Sequence, residues 1–303
     1  MTDTLRSALP VLTAQASEQD QASSRKFTGP FHRGYLKLVR DAQSPEAPAL
    51  VFIHGFIAGP MSRHQWIRQM KGTIGNRDAA IYLLNWNAGA FQDNDFKRYR
   101  KELRPQRLLN KIPLLARGGG PWGLSAAALA IAASLYNEMF GICVERSDDL
   151  ALSVAHLQSQ LERPVLLVGH SLGARVCLRA CEEVARAGAA PFRGCYAMGP
   201  AVTRKEIDLP LVVQGASSAP VVYFSRADFI LGAVYGARER VRELDLNRAA
   251  LGFRPTKRVE GIAYRAATNR IGWSLGHLGY SKCATRLLRK AGILAHFDRQ
   301  SIE

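Results

Sequence analysis

The segment PVLLVGHSLGARVCLRACEEVA, Pro164 to Ala185, decides how this chain is read. It opens on an apolar run, Val165 to Val168, of the kind a strand needs when both faces of a parallel sheet are covered. Its second half has a helical pattern. Between the two stands Gly169-His170-Ser171-Leu172-Gly173, a G-x-S-x-G. The bare pattern is only moderately specific; the strand, sharp turn and helix around it give it weight, because that setting presents a serine as a nucleophile. Two glycines let strand and helix approach closely around a strained residue, and the helix N-terminus adds positive potential where an oxyanion would form. The competing reading is an ordinary glycine-rich strand-to-helix turn.

Outward from this segment, further short apolar runs recur: Leu50 to Ile53, Ala80 to Trp86, Cys195 to Met198 and Val221 to Phe224. Gly34 to Arg40 alternates instead, as an exposed antiparallel strand near a sheet edge would. Met61, Trp66, Ile67, Met70 and Ile74 share a helical face. So do Leu150, Val154, Leu157 and Leu161, behind Ser147-Asp148-Asp149 as N-cap and dipole-compatible residues. Alternating strand and helix predicts an α/β fold, a mostly parallel sheet with helices on both faces. Residues 27–303 form one domain in this reading, behind a flexible leader at 1–26. The interval at about 88–147 is too long for a simple connection and reads as a helical insertion, a lid or cap before the nucleophile strand.

A nucleophilic Ser171 needs an oxyanion hole, an acid and a base. The backbone N–H of Leu172 is one donor, and the strand ending in His54-Gly55 places the N–H of Phe56 as the second. His54 itself precedes the serine and reads as a structural loop residue. Of seven histidines, only His277 and His296 follow a plausible acid on a late strand. His277 is preferred because it stands in a Gly-flanked turn ahead of a helix. Asp228, four residues beyond Phe224, is the preferred acid, with Asp208 and then Glu206 behind it; a turn aspartate or a pair with Arg226 is its bland reading.

In this order, VGHSLGARV, CYAMGPAV, VYFSRADFILG and GHLGYSK resemble the α/β-hydrolase-like family known as domain of unknown function 726. The resemblance runs from about Leu50 to Lys282. It implies an α/β-hydrolase fold, with Ser171, Asp228 and His277 matching the triad, and it supplies no substrate.

The expectation is a serine hydrolase (esterase- or lipase-like) that cleaves a carboxylic ester or thioester through an acyl-enzyme, with no metal and no organic cofactor. The alternative is a non-catalytic α/β-hydrolase-fold protein that binds a membrane surface or partner. Five cysteines, Cys143, Cys177, Cys181, Cys195 and Cys283, form no zinc or disulfide pattern and suit a reducing, cytoplasmic setting.

Charge is the outlying bulk property: 41 Lys plus Arg against 25 Asp plus Glu, a formal +16. Without aromatic interleaving or a motif, nucleic acid is disfavoured as a partner. Lys97, Arg98, Arg100, Lys101, Arg104, Arg107, Lys111 and Arg117 stand against the single acid Glu102, directly before an Ala-rich stretch free of charge. That juxtaposition suggests peripheral contact with an anionic membrane beside a small-molecule ester site.

Overall fold

The computed structural model describes residues 12–13, 24–28, 33–55, 60–86, 140–228, 230–235, 250–255, 258–267 and 276–298. Their strands are β1 (Leu12–Thr13), β2 (Ser24–Thr28), β3 (Arg33–Arg40), β4 (Ala49–Ile53), β5 (Ala80–Asn85), β6 (Val165–His170), β7 (Gly194–Met198), β8 (Val221–Phe224) and β9 (Ala263–Ala266). They form one sheet in the order β1-β2-β3-β5-β4-β6-β7-β8-β9. From β5 to β9 every pairing is parallel; β1, β2 and β3 close one edge antiparallel. This is the α/β-hydrolase arrangement expected above. Part of the segment read as a flexible leader is paired, since Leu12–Thr13 and Ser24–Thr28 extend the sheet. Most of the insertion read at about 88–147, its basic run and Ala-rich stretch included, lies outside the described residues, as does Phe56.

The strand pattern sorts the core into two layers. Val51, Ile53, Val165, Leu167, Cys195, Ala197 and Val222 point to one face, and Leu50, Phe52, Leu166, Val168, Tyr196, Met198 and Tyr223 point to the other. Successive strand residues face opposite ways, so a continuous apolar run fills both layers at once. The first face is covered by the helix at 140–155, here α2, with α3 (Leu157–Leu161), α4 (Leu172–Arg186) and α5 (Leu209–Gln214). The second is covered by α1 (Pro60–Ile74) and α6 (Tyr280–Lys290). Burying one Leu or Val of these layers stabilises the fold by about 1.5–3 kcal/mol.

Two local expectations are corrected. Ser147-Asp148-Asp149 do not cap a helix; they lie inside α2, where the Ser147 hydroxyl donates to the Val144 carbonyl at 2.6 Å. Asp148 is instead drawn to Arg175 of α4, whose Nε and second guanidinium nitrogen reach its carboxylate at 2.8 and 2.9 Å. The helical pattern to Leu161 is also interrupted at His156, and Glu162 ends α3 in the left-handed region at φ 51°.

Strand order locates the site. The chain leaves β4 toward β5 on one side and leaves β6 toward β7 on the other, so the loops after β4 and β6 diverge. In an open α/β sheet the crevice outside the carboxyl ends of two such strands is where ligands bind. His54-Gly55 follow β4 there, and Ser171 follows β6.

Candidate active site

Ser171 sits between β6 and α4 with φ 58° and ψ −121°, one of two described non-glycine residues with positive φ. A serine costs energy to hold there, and the surrounding packing is tight enough to hold it. A Cβ on Gly169 would lie 2.4 Å from the Gly173 carbonyl oxygen, and a Cβ on Gly173 would lie 2.1 Å from that of Ile53. Only glycine at these positions lets α4 start directly over the ends of β4 and β6. Gly55 packs against the serine in the same way, since its Cβ would fall 2.5 Å from that of Ser171. The G-x-S-x-G spacing is therefore a steric requirement of this turn. Leu172, the first residue of α4, offers an N–H without an intrahelical carbonyl at the positive end of the helix dipole.

Asp228 and His277 meet next to His170, the residue before the serine. The His277 Nδ1 is 2.6 Å from Asp228 Oδ2, with Asp228 fully buried and His277 6 % exposed. The other carboxylate oxygen, Oδ1, accepts the Leu231 N–H at 3.0 Å, which fixes the carboxylate at the turn after β8. The turn role that competed for Asp228 thus coexists with its histidine contact. With Nδ1–H donating to the carboxylate, Nε2 is left as the proton acceptor of His277. His277 lies in a 3-10 turn, Gly276–Gly279, that feeds α6.

The serine and histidine segments are joined through the residue before the serine. His170 Nε2–H donates to the His277 carbonyl at 3.1 Å, and the two rings lie 4.6 Å apart between centroids. Burial holds the His170 pKa well below the usual imidazole value, and the neighbouring His277 lowers it further. Trp66 of α1 and Tyr280 of α6 wall in the His170 ring. The local motif gave no sign that its second residue anchors a loop 107 positions away.

Gly199, just past β7, is a second residue that sequence reasoning passed over. Its φ is 54°, and a Cβ there would press on Tyr280 and stand 3.5 Å from both Asp228 Oδ2 and His277 Cε1. The glycine of CYAMGPAV keeps the Asp228–His277 contact uncrowded.

Competing residues are held elsewhere. Asp208 accepts the Leu211 N–H as the cap of α5, and Glu206 accepts from Arg175 at 2.8 Å and from the Thr203 N–H at 2.7 Å. His296 touches the Tyr196 hydroxyl and approaches Gly194, which begins β7. That is the opposite end of the strand from Ser171. His54 is a buried loop residue as expected, its Nδ1 within 2.9 Å of the Gly55 carbonyl. Burial, chiefly, brings its pKa down to about 4. Among the described residues no His, Cys, Asp or Glu cluster fits a metal, and no helix is long and apolar enough to cross a membrane.

Among solved structures, the chain is similar to brefeldin A esterase, a bacterial homologue of human hormone sensitive lipase, at 14% identity and a TM-score of 0.43 over 97% of this chain and 82% of that one. It is similar to the hyperthermophilic esterase from the archaeon Pyrobaculum calidifontis at 14% and 0.42, over 90% and 85%. Est1E from Butyrivibrio proteoclasticus gives 10% and 0.41, over 92% and 100%. The fold assignment stands on strand order and the serine turn, not on these distant likenesses. Residues 122–294 match a family described only as a protein of unknown function, DUF726. That match spans more than half of the sequence and includes Ser171, Asp228 and His277, and the chain belongs to the DUF726 family.

Proposed function

We propose that this protein is a serine hydrolase acting on a carboxylic ester or thioester. The observation that carries the reading is the buried 2.6 Å contact of Asp228 with His277 at the strand edge where Ser171 stands in a positive-φ turn. In this mechanism His277 Nε2 takes the proton of the Ser171 hydroxyl as its oxygen attacks the acyl carbon. Asp228 orients the imidazole and stabilises the imidazolium without taking the proton itself. The Leu172 N–H and the N–H of Phe56 stabilise the oxyanion. Collapse of the tetrahedral intermediate expels the alcohol or thiol, which leaves with the proton from His277. Water, deprotonated by the same histidine, then releases the acid and restores the serine.

Activity-based labelling tests this. A fluorophosphonate probe is expected to label the wild type and not Ser171→Ala. His277→Ala should slow labelling at least about a thousandfold, while His296→Ala, at the far end of β7, leaves it unchanged. A folded wild type that resists the probe would leave the non-catalytic binding role in its place.

A further inference from the structure

Helices α1 and α6 pack side by side on one face of the sheet and are tied together along their length. The Ser281 hydroxyl donates to Gln65, the Thr285 N–H donates to the Gln69 side chain at 2.9 Å, and the Thr285 hydroxyl donates to the Gln69 carbonyl at 2.8 Å. Arg289 closes the far end by donating to the carbonyls of Thr73 and Gly72. None of these contacts uses a carboxylate, and neither helix contains Asp or Glu.

What the pair turns to solvent is cationic. Arg68 and Lys71 of α1 and Lys282, Arg286 and Lys290 of α6 are all exposed. Lys282, Arg286 and Lys290 recur at every fourth position and so form one row on α6. Arg68 stands on the outward side of α1, away from its buried residues Trp66, Met70 and Ile74. Two carboxylates close in sequence to the ends of these helices are engaged: Asp298 with Arg77, and Asp78 with the N–H groups of Gln43 and Ser44. At the end of the platform next to His277, Leu278 is 66 % exposed, the most exposed large apolar side chain of the described residues.

We infer that the α1–α6 face is a docking surface for an anionic membrane, seated so that the Ser171–His277 edge borders the lipid. Two observations favour lipid over nucleic acid. The cations are accompanied by an exposed leucine, which gains by entering the acyl boundary. No exposed aromatic of the described residues lies on either helix to stack a base. The row of cations lies against lipid phosphates and carboxylates, while Leu278 inserts beside the mouth of the site. A substrate would then reach Ser171 from the surface on which the protein sits. Docking itself does not depend on the acyl-transfer reading, because no triad residue takes part in it.

The full chain is tested by co-sedimentation with phosphatidylcholine vesicles and with vesicles carrying about a third phosphatidylserine, at low and at physiological salt. The wild type and Ser171→Ala are expected to bind the anionic vesicles alike, and the neutral ones weakly. Joint replacement of Arg68, Lys71, Lys282, Arg286 and Lys290 by Ala should weaken binding about a hundredfold. Leu278→Ser should weaken it about tenfold. A charge-matched control, Lys37, Arg204, Lys205, Arg254 and Arg258 to Ala, should remain within about threefold of wild type. Unchanged melting temperatures show that the variants fold. Equal binding to neutral and anionic vesicles, a platform variant that binds like the control, or tighter binding to a nucleic-acid duplex would each overturn the inference.

Discussion

Helix α4, on one face of the sheet, carries Arg175, Arg179 and Arg186 together with Glu182 and Glu183; α1 and α6, on the other, carry cations and no carboxylate. Each arginine of α4 has a carboxylate partner. Arg175, 2 % exposed, bridges Asp148 of α2 and Glu206, Arg179 meets Asp148 and Glu182, and Arg186 meets Glu182 and Glu183. On the second face the helices are joined by amides, hydroxyls and Arg289 on backbone carbonyls, while Arg68, Lys71, Lys282, Arg286 and Lys290 are exposed. The same residue type thus does two jobs. A compensated arginine holds helices together, whereas an uncompensated one is free to meet an anion from outside. Among the described residues the basic charge is thus distributed differently over the two faces.

The largest expected effect falls on the compensated face. Arg175→Leu removes the cation that joins α2, α4 and the loop before α5, leaving Asp148 and Glu206 close together. Both acids retain some solvent contact, so the cost stays below that of stranding a wholly buried charge, at about 3 kcal/mol. For a chain of this size that lowers Tm by roughly 6–12 °C. Thermal unfolding followed by circular dichroism measures it. A change under about 1 kcal/mol would mean that apolar packing, not this bridge, fastens α2 to α4.

The next effect belongs to the seam where the faces meet. His54, at the end of β4, lies against Trp86 on the compensated side, and Arg63 of α1 on the cationic side pushes its pKa the same way as burial does, to about 4. The folded protein keeps this imidazole neutral, while the unfolded chain protonates it near 6.5. The unfolded state thus binds more protons between these values. The stability His54 supplies is full above about pH 6.5 and is lost as pH falls toward about 4, about 3 kcal/mol in all. Urea unfolding at pH 7 and at pH 4.5 should show a smaller acid loss for His54→Gln than for the wild type. Equal losses would place the acid sensitivity in other groups.

How far the sequence carried differs between these regions for physical reasons. Ser171, Asp228 and His277 could be singled out because each stands in a short local pattern, the first two just past β6 and β8, and chain order narrowed the choice. The structure brings Asp228 and His277 into contact and places His296 at the start of β7. Strand β9 was missed: Ala263–Ala266 is four residues long and half-exposed, so no apolar run marks it. Ser147-Asp148-Asp149 looked like a cap because the pull on Asp148 comes from Arg175, 27 positions on. The cationic face was missed for a related reason. A search for charge finds contiguous runs such as Lys97 to Arg117, whereas Arg68 and Lys71 join Lys282, Arg286 and Lys290 only after the chain has folded. The tie from His170 to His277 is invisible for the same cause, since contact between distant segments leaves no local trace.

The smallest expected effect is on the cationic face, and its sign is informative. In α6, Lys282 and Arg286 are four residues apart, as are Arg286 and Lys290; like charges at that spacing repel by about 0.2–0.5 kcal/mol per pair. Lys282 also lies in the first turn, where the helix dipole disfavours a cation, whereas Arg289 and Lys290 lie in the last turn, where it favours one. Lys282→Ala with Arg286→Ala removes both repulsions and the unfavourable end charge, and breaks no ion pair among the described residues. Against this stands the loss of the Lys and Arg stems, which cover part of the groove beside Gln69 and Thr285. The balance is a change within about 0.5 kcal/mol, on the stabilising side at low salt. Raising the salt screens the repulsion in the wild type, so the difference in Tm between the two proteins should shrink. A loss of more than about 1 kcal/mol would show that these cations hold the helices together, as Arg175 does on the opposite face. The contrast between the faces would then disappear, and the platform would have a structural reason to be basic that requires no membrane.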